Sequence, residues 1–194
     1  NTCPPGRGQA GAGEACPRFN DLAMAWLLRH PVDTLIVAER WPIGYSETGP
    51  APAALAARVA ELSAVFDRLG HVRRILVIGP LPDLHQSAPD CIALGWEESC
   101  SRQAPRHRVR VERAWDEIEV LARRHSKVVL VDPTDFFCDE RACPPVRHGF
   151  GLYWDSNHIT ASASRGFAEA YLAEPARYTR RPSDAAAEPD SRTP

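Results

Sequence analysis

The sequence predicts an α/β fold: three layers, α/β/α, around a mainly parallel sheet. Three short apolar runs, at residues 34–38, 74–78 and 127–131, read as buried parallel strands. Longer stretches with apolar residues at helical spacing separate them. Helices alternating with short apolar strands imply helices layered on a parallel sheet, joined by right-handed crossovers. At 194 residues the chain is one domain, long enough to bury a substantial core.

Taken in order, residues 1–17 are rich in Gly, Pro and Cys and form a loop clamped by its own cysteine pair. Residues 18–30 place Phe19, Leu22, Ala23, Trp26 and Leu27 on one helical face, and Pro31 ends the helix. The strand Thr-Leu-Ile-Val-Ala follows at 34–38 and is broken by Glu39-Arg40-Trp41-Pro42. Residues 51–69 carry Leu55, Val59, Leu62, Val65, Phe66 and Leu69 on one stripe, punctuated by Pro50 and Gly70. The second strand, 74–78, leads into Gly79-Pro80-Leu81-Pro82. Residues 83–105 are polar and irregular, and 106–125 form a helix with Trp115, Ile118 and Leu121 inward. After the third strand come a Cys138…Cys143 loop, a polar turn and a helix over about 160–172. Residues 180–194 have no apolar period and read as a disordered tail, leaving 1–179 as the domain.

Composition narrows the function classes. Apolar content is 44% and charged content 25%, ordinary for a globular protein. A net charge of -2 gives no electrostatic case for nucleic acid or an anionic membrane. The chain starts at Asn1 without a signal segment, and its longest apolar runs are too short to span a bilayer. It therefore reads as a processed chain or a piece of a larger one, with any membrane anchor outside it.

Six cysteines fall into local pairs: Cys3 with Cys16, Cys91 with Cys100, Cys138 with Cys143. Six cysteines permit fifteen connectivities in principle. The nearest-neighbour set is favoured because each pair brackets a Pro-rich or polar loop. Disulfides imply an oxidising compartment, periplasmic or extracellular. The alternative is a zinc site from Cys138, Cys143, His148 and His158, but that spacing matches no compact knuckle and leaves the other cysteines unexplained. No metal or cofactor is expected.

The chemistry centres on Tyr153-Trp154-Asp155-Ser156-Asn157-His158-Ile159-Thr160. Asp155 and His158, three residues apart on a tight turn, fall on one side of the backbone. A carboxylate beside an imidazole fixes its tautomer and stabilises the imidazolium, as a general base requires. Thr160 is the expected N-cap of the last helix. Sites in parallel sheets form outside the carboxyl ends of the strands, which is where this turn falls. A polar surface turn is the bland alternative.

Together these parts resemble the SGNH (GDSL-type) esterase and acyltransferase superfamily, whose sheet is flavodoxin-like. The resemblance is nearest to the periplasmic SGNH domain fused to membrane O-acyltransferases of the acyltransferase-three family. It is carried by Thr2-Cys3-Pro4-Pro5 with Cys16, Ala38-Glu39-Arg40-Trp41, Gly79-Pro80-Leu81-Pro82, Val131-Asp132-Pro133, Cys138…Cys143 and the Asp155–His158 block. It implies a Ser-His-Asp triad with His158 as base and Asp155 as its orienter. The family's nucleophile lies in a Gly-Asp-Ser block after the first strand, and no Gly-Asp-Ser occurs here. The chain thus looks like the family domain without its first strand and nucleophile, and alone it should be inactive. The family's Asn oxyanion donor would fall near 39–41. Arg40, with Trp41 beside it, is the candidate substitute for oxyanion or substrate binding, against the plainer reading of a surface ion pair. Ala163 stands where the family often has Gly.

Three functions follow. The first is O-acetyl transfer to a cell-surface polysaccharide or glycolipid, with a membrane-embedded acyltransferase domain as partner. The second is ester hydrolysis by the same triad with water as acceptor. The third is a non-catalytic carbohydrate-binding module, in which Trp41, Tyr153 and Trp154 would stack on sugar rings unless they are core residues.

Overall fold

A computed structural model of the chain describes residues 15–42 and 53–182. Helix α1 (Ala15–Leu27) leads to strand β1 (Thr34–Ala38), then α2 (Ala53–Arg68) and β2 (Arg74–Ile78). Next come α3 (Ala88–Leu94), α4 (Glu97–Cys100), β3 (Arg102–Gln103) and the 21-residue α5 (Ala104–Arg124). The last third holds β4 (Val128–Val131), α6 (Thr134–Phe137), β5 (Ala142–Cys143), β6 (Val146–Arg147) and β7 (Phe150–Gly151), then α7 (Ala161–Ala173), α8 (Pro175–Tyr178) and β8 (Thr179–Arg180). The α/β architecture with a mainly parallel sheet is thus as expected.

The main sheet has the order β1-β2-β4-β8. Its first three strands run parallel, with Leu35 opposite Ile75 and Leu76 opposite Val129, and β8 is antiparallel to β4. Alternation along β2 divides the core in two. Ile75 and Val77 face a cluster with Leu55, Leu62, Phe66, Trp115, Ile118 and Leu121 from α2 and α5. Leu76 and Ile78 face another, built by Phe136, Phe137, Leu152, Phe167 and Tyr171. Sheet faces covered on both sides are what continuous apolar strands require.

β1 is the exception. Its one strand neighbour among the described residues is β2, and Ile36 in its middle is 62% exposed. Beside it, Met24 and Leu27 of α1, Leu35 and Val37 of β1, and Leu62 and Val65 of α2 line an apolar groove of about 230 Å³.

Two expectations need correction. Residues 83–105 are not irregular throughout: α3 begins with Pro89 in its first turn and ends on Gly95 at φ 67°, the left-handed backbone glycine favours. A Cys91–Cys100 disulfide ties α3 to α4, and β3 pairs antiparallel with β5. Second, the tail does not begin at Arg180. That residue lies in β8, where its guanidinium bonds Glu119 at 2.8 Å and Glu112, and sits 5.1 Å over the Trp115 ring. The remainder of the expected tail beyond 182 lies outside the described residues. No helix among the described residues is long and apolar enough to cross a membrane.

Candidate active site

The site is built by two consecutive reversals of the chain. β6 and β7 form a hairpin turning through His148 and Gly149, both at positive φ, the conformation a two-residue hairpin turn demands. The chain then continues through Leu152 and Tyr153, turns at Asp155–Asn157, and returns as Ile159, which bridges Tyr153. Trp154 N donates to His158 O at 2.7 Å, and Thr160 N to Leu152 O at 3.0 Å. Thr160 is the N-cap of α7: its hydroxyl accepts from Ala163 N at 3.0 Å and donates to Gly151 O at 2.8 Å. The cap welds the turn to a helix whose buried face includes Ala163 and Phe167.

Within the turn every oxygen of Asp155 has work. Oδ1 accepts from the backbone N–H groups of Asn157 and His158, both at 2.8 Å, and Oδ2 lies 2.7 Å from His158 Nδ1. The backbone bonds from His158 and Asn157, then the imidazole bond, hold the carboxyl at about 2, below the usual carboxylate range. An ionised Asp155 keeps the Nδ1 proton in place and leaves Nε2 as the basic nitrogen, and the His158 side chain is 64% exposed. Two further bonds fix the turn to the loop after β2: Leu84 N to Ser156 O at 2.7 Å and Ala88 N to Asp155 O at 3.0 Å. The pair therefore stands at the carboxyl ends of the parallel strands.

The other expected residues are placed differently. Arg40 is a surface residue, its Nη2 3.6 Å from Asp83 Oδ2 in an ion pair. Trp41 is 4% exposed in the core cluster with Leu55 and Trp115, and its one side-chain N–H donates to Ile78 O at 2.8 Å. Tyr153 is 2% exposed, and burial with the nearby Asp83 pushes its hydroxyl pKa far up. Of the three proposed sugar-stacking rings only Trp154, 75% exposed, faces solvent. Cys138 and Cys143 are joined as a disulfide, and His148 bonds Phe136 O while stacking on its ring, so the alternative zinc ligands are otherwise engaged. Cys3 and the side chain of Cys16 lie outside the described residues.

Two groups escaped the sequence reading. Glu39, at the end of β1, is 8% exposed and lies 3.6 Å from Arg58. Burial raises its pKa to about 7, opposed by Arg58 and reinforced by Glu61. A second Ser-His-Asp constellation also exists: Ser63 Oγ is 2.8 Å from His125 Nε2, whose Nδ1 is 3.8 Å from Asp67. Ser63 is 3% exposed within α2, and Phe66 stands edge-on to the imidazole, so this set is a strut between α2 and the end of α5. Only contacts 62 residues apart reveal it.

The parallel α/β sheet thus carries a carboxylate–imidazole pair at its strand ends. The family model of the SGNH domain (fused to AT3 domains) matches residues 1–173, and the chain belongs to that family. The fusion implies a membrane acyltransferase partner domain. No curated protein and no solved structure matches the chain.

Proposed function

We propose that this domain carries out O-acetyl transfer to a cell-surface polysaccharide or glycolipid, on the periplasmic side of the membrane that holds its AT3 partner. The observation that supports it most directly is the 2.7 Å contact between Asp155 Oδ2 and His158 Nδ1, with Oδ1 already bonded twice to backbone. The serine is supplied by polypeptide outside these 194 residues, on a strand added parallel to the side of β1 that has no strand neighbour among the described residues. The exposure of Ile36 and the apolar groove beside it support that placement.

His158 Nε2 takes the serine proton as Oγ attacks the donor's acyl carbonyl, and returns it to the leaving group. In the second half a sugar hydroxyl loses its proton to Nε2, its oxygen attacks the acyl-serine carbonyl, and the departing Oγ recovers the proton. Asp155 remains ionised throughout and holds the imidazolium. Hydrolysis is the second reading, favoured by the 64% exposure of the His158 side chain, which gives water access to Nε2.

The test is release of acetate from a chromogenic acetate ester by the full-length protein and its His158→Ala variant. The variant should lose nearly all activity, and equal rates would remove His158 from the mechanism.

A further inference from the structure

We infer that Trp154 is the platform on which the acceptor sugar lies, presenting a ring hydroxyl to His158 Nε2. The inference rests on the acyl-transfer reading above and names the acceptor surface of that site.

Register carries the argument. Tyr153 bridges Ile159 antiparallel, so Trp154 stands opposite His158, and its N–H donates to His158 O at 2.7 Å. Opposite residues of an antiparallel pair put their side chains on one face, with Cβ atoms about 4.5–5.5 Å apart. The indole and the imidazole therefore share a face of the turn. Their backbone is held on both flanks by the buried Tyr153 and the Thr160 cap.

Exposure is the second observation. Leu152 and Tyr153 immediately before it are buried at 0% and 2%, whereas Trp154 is 75% exposed. A single exposed apolar residue needs no explanation by itself. This one is fixed to the same rigid ladder as the proposed base, and its alternatives as stacking surfaces, Trp41 and Tyr153, are both buried.

The surroundings favour a polyhydroxylated ring over an acyl chain. Asp155, Ser156 and Asn157 follow Trp154 directly in the chain and make the turn polar. A pyranose matches both, its C–H face on the aromatic ring and its hydroxyls toward polar groups.

The experiment uses the full-length protein, p-nitrophenyl acetate as donor, and a panel of methyl gluco-, galacto- and mannopyranosides as acceptors. Donor cleavage and acetyl-sugar formation are read separately for wild type, Trp154→Ala, Trp154→Phe and His158→Ala. Trp154→Ala should cleave the donor within about twofold of wild type. Its KM for the best pyranoside should rise about tenfold or more, and Trp154→Phe should recover most of that loss. Unchanged acceptor KM in Trp154→Ala, with activity lost in His158→Ala, would overturn the platform and leave the base in place. So would a wild type that cleaves donor in a His158-dependent way but acetylates none of the sugars, which points to hydrolysis. Full activity in His158→Ala would instead overturn the site itself.

Discussion

Arg180 Nε donates to Glu119 Oε1 at 2.8 Å, tying β8 to the C-terminal third of α5. Glu119 is fully buried, and its other oxygen faces the half-exposed Arg123 at 3.3 Å. Arg180→Ala would remove the Nε bond to that buried carboxylate and uncover the Trp115 face. Removing one member of a buried pair is strongly destabilising. The expected loss is about 2–4 kcal/mol, read from the midpoint of denaturant unfolding at unchanged slope.

Asp155→Asn tests the orienter. An Asn oxygen can still accept the two backbone N–H groups, so the turn should persist. Its amide would then face Nδ1 as a donor and drive the imidazole to the wrong tautomer. Ester cleavage by the full-length protein should fall roughly 10²–10⁴-fold with the melting temperature nearly unchanged. A loss below threefold would mean that Asp155 only shapes the turn.

Acid should destabilise this domain through His107. It is fully buried on α5 and its ring nitrogens have no hydrogen-bond partner among the described residues. Burial, then Arg110, Arg102 and Arg108, pushes its pKa down to about 3. Below the ordinary imidazole value of 6.5 the unfolded chain takes a proton that the native state refuses. Stability therefore falls as pH drops from 6.5 toward 3, by at most about 1.4 kcal/mol per pH unit. His125, also lowered by burial, adds in the same direction. Glu39 acts oppositely: its raised pKa costs stability as pH climbs from 4.5 toward 7. In His107→Phe, unfolding free energy measured between pH 6 and 4 should show a shallower slope than wild type.

Gly79 follows β2 where the chain passes over Trp115. A Cβ there would lie 2.2 Å from two indole carbons. Trp115 is fully buried and cannot swing aside without moving α5. Gly79→Ala should cost about 1–3 kcal/mol or more; a melting temperature equal to wild type would contradict this packing.

How far the sequence could be read depended on the range of the contact. Strands Thr34–Ala38 and Arg74–Ile78 have the bounds their apolar runs indicate, and for β2, covered on both faces, such a run is required. The Thr160 cap and the Asp155–His158 pair were legible too, since each is made within three residues. Helix α3 escaped because seven residues are too few for a helical period to show, although Pro89 and Gly95 mark its ends. Trp41 and Tyr153 looked like binding residues because an aromatic at a strand end carries no sign of whether it points inward. Glu39 and the Ser63–His125 contact depend on burial created by distant segments, which no local pattern encodes.

The flank of β1 that has no strand neighbour among the described residues also bears on how this polypeptide behaves when handled by itself. Alternate residues of β1 direct their backbone N–H and C=O away from β2, and Thr34–Ala38 holds none of the lysine or proline that guards a natural sheet border. Two copies can zip together there as readily as one copy can accept its proper companion. Material made as these residues alone is expected to self-associate with rising concentration, measurable by sedimentation.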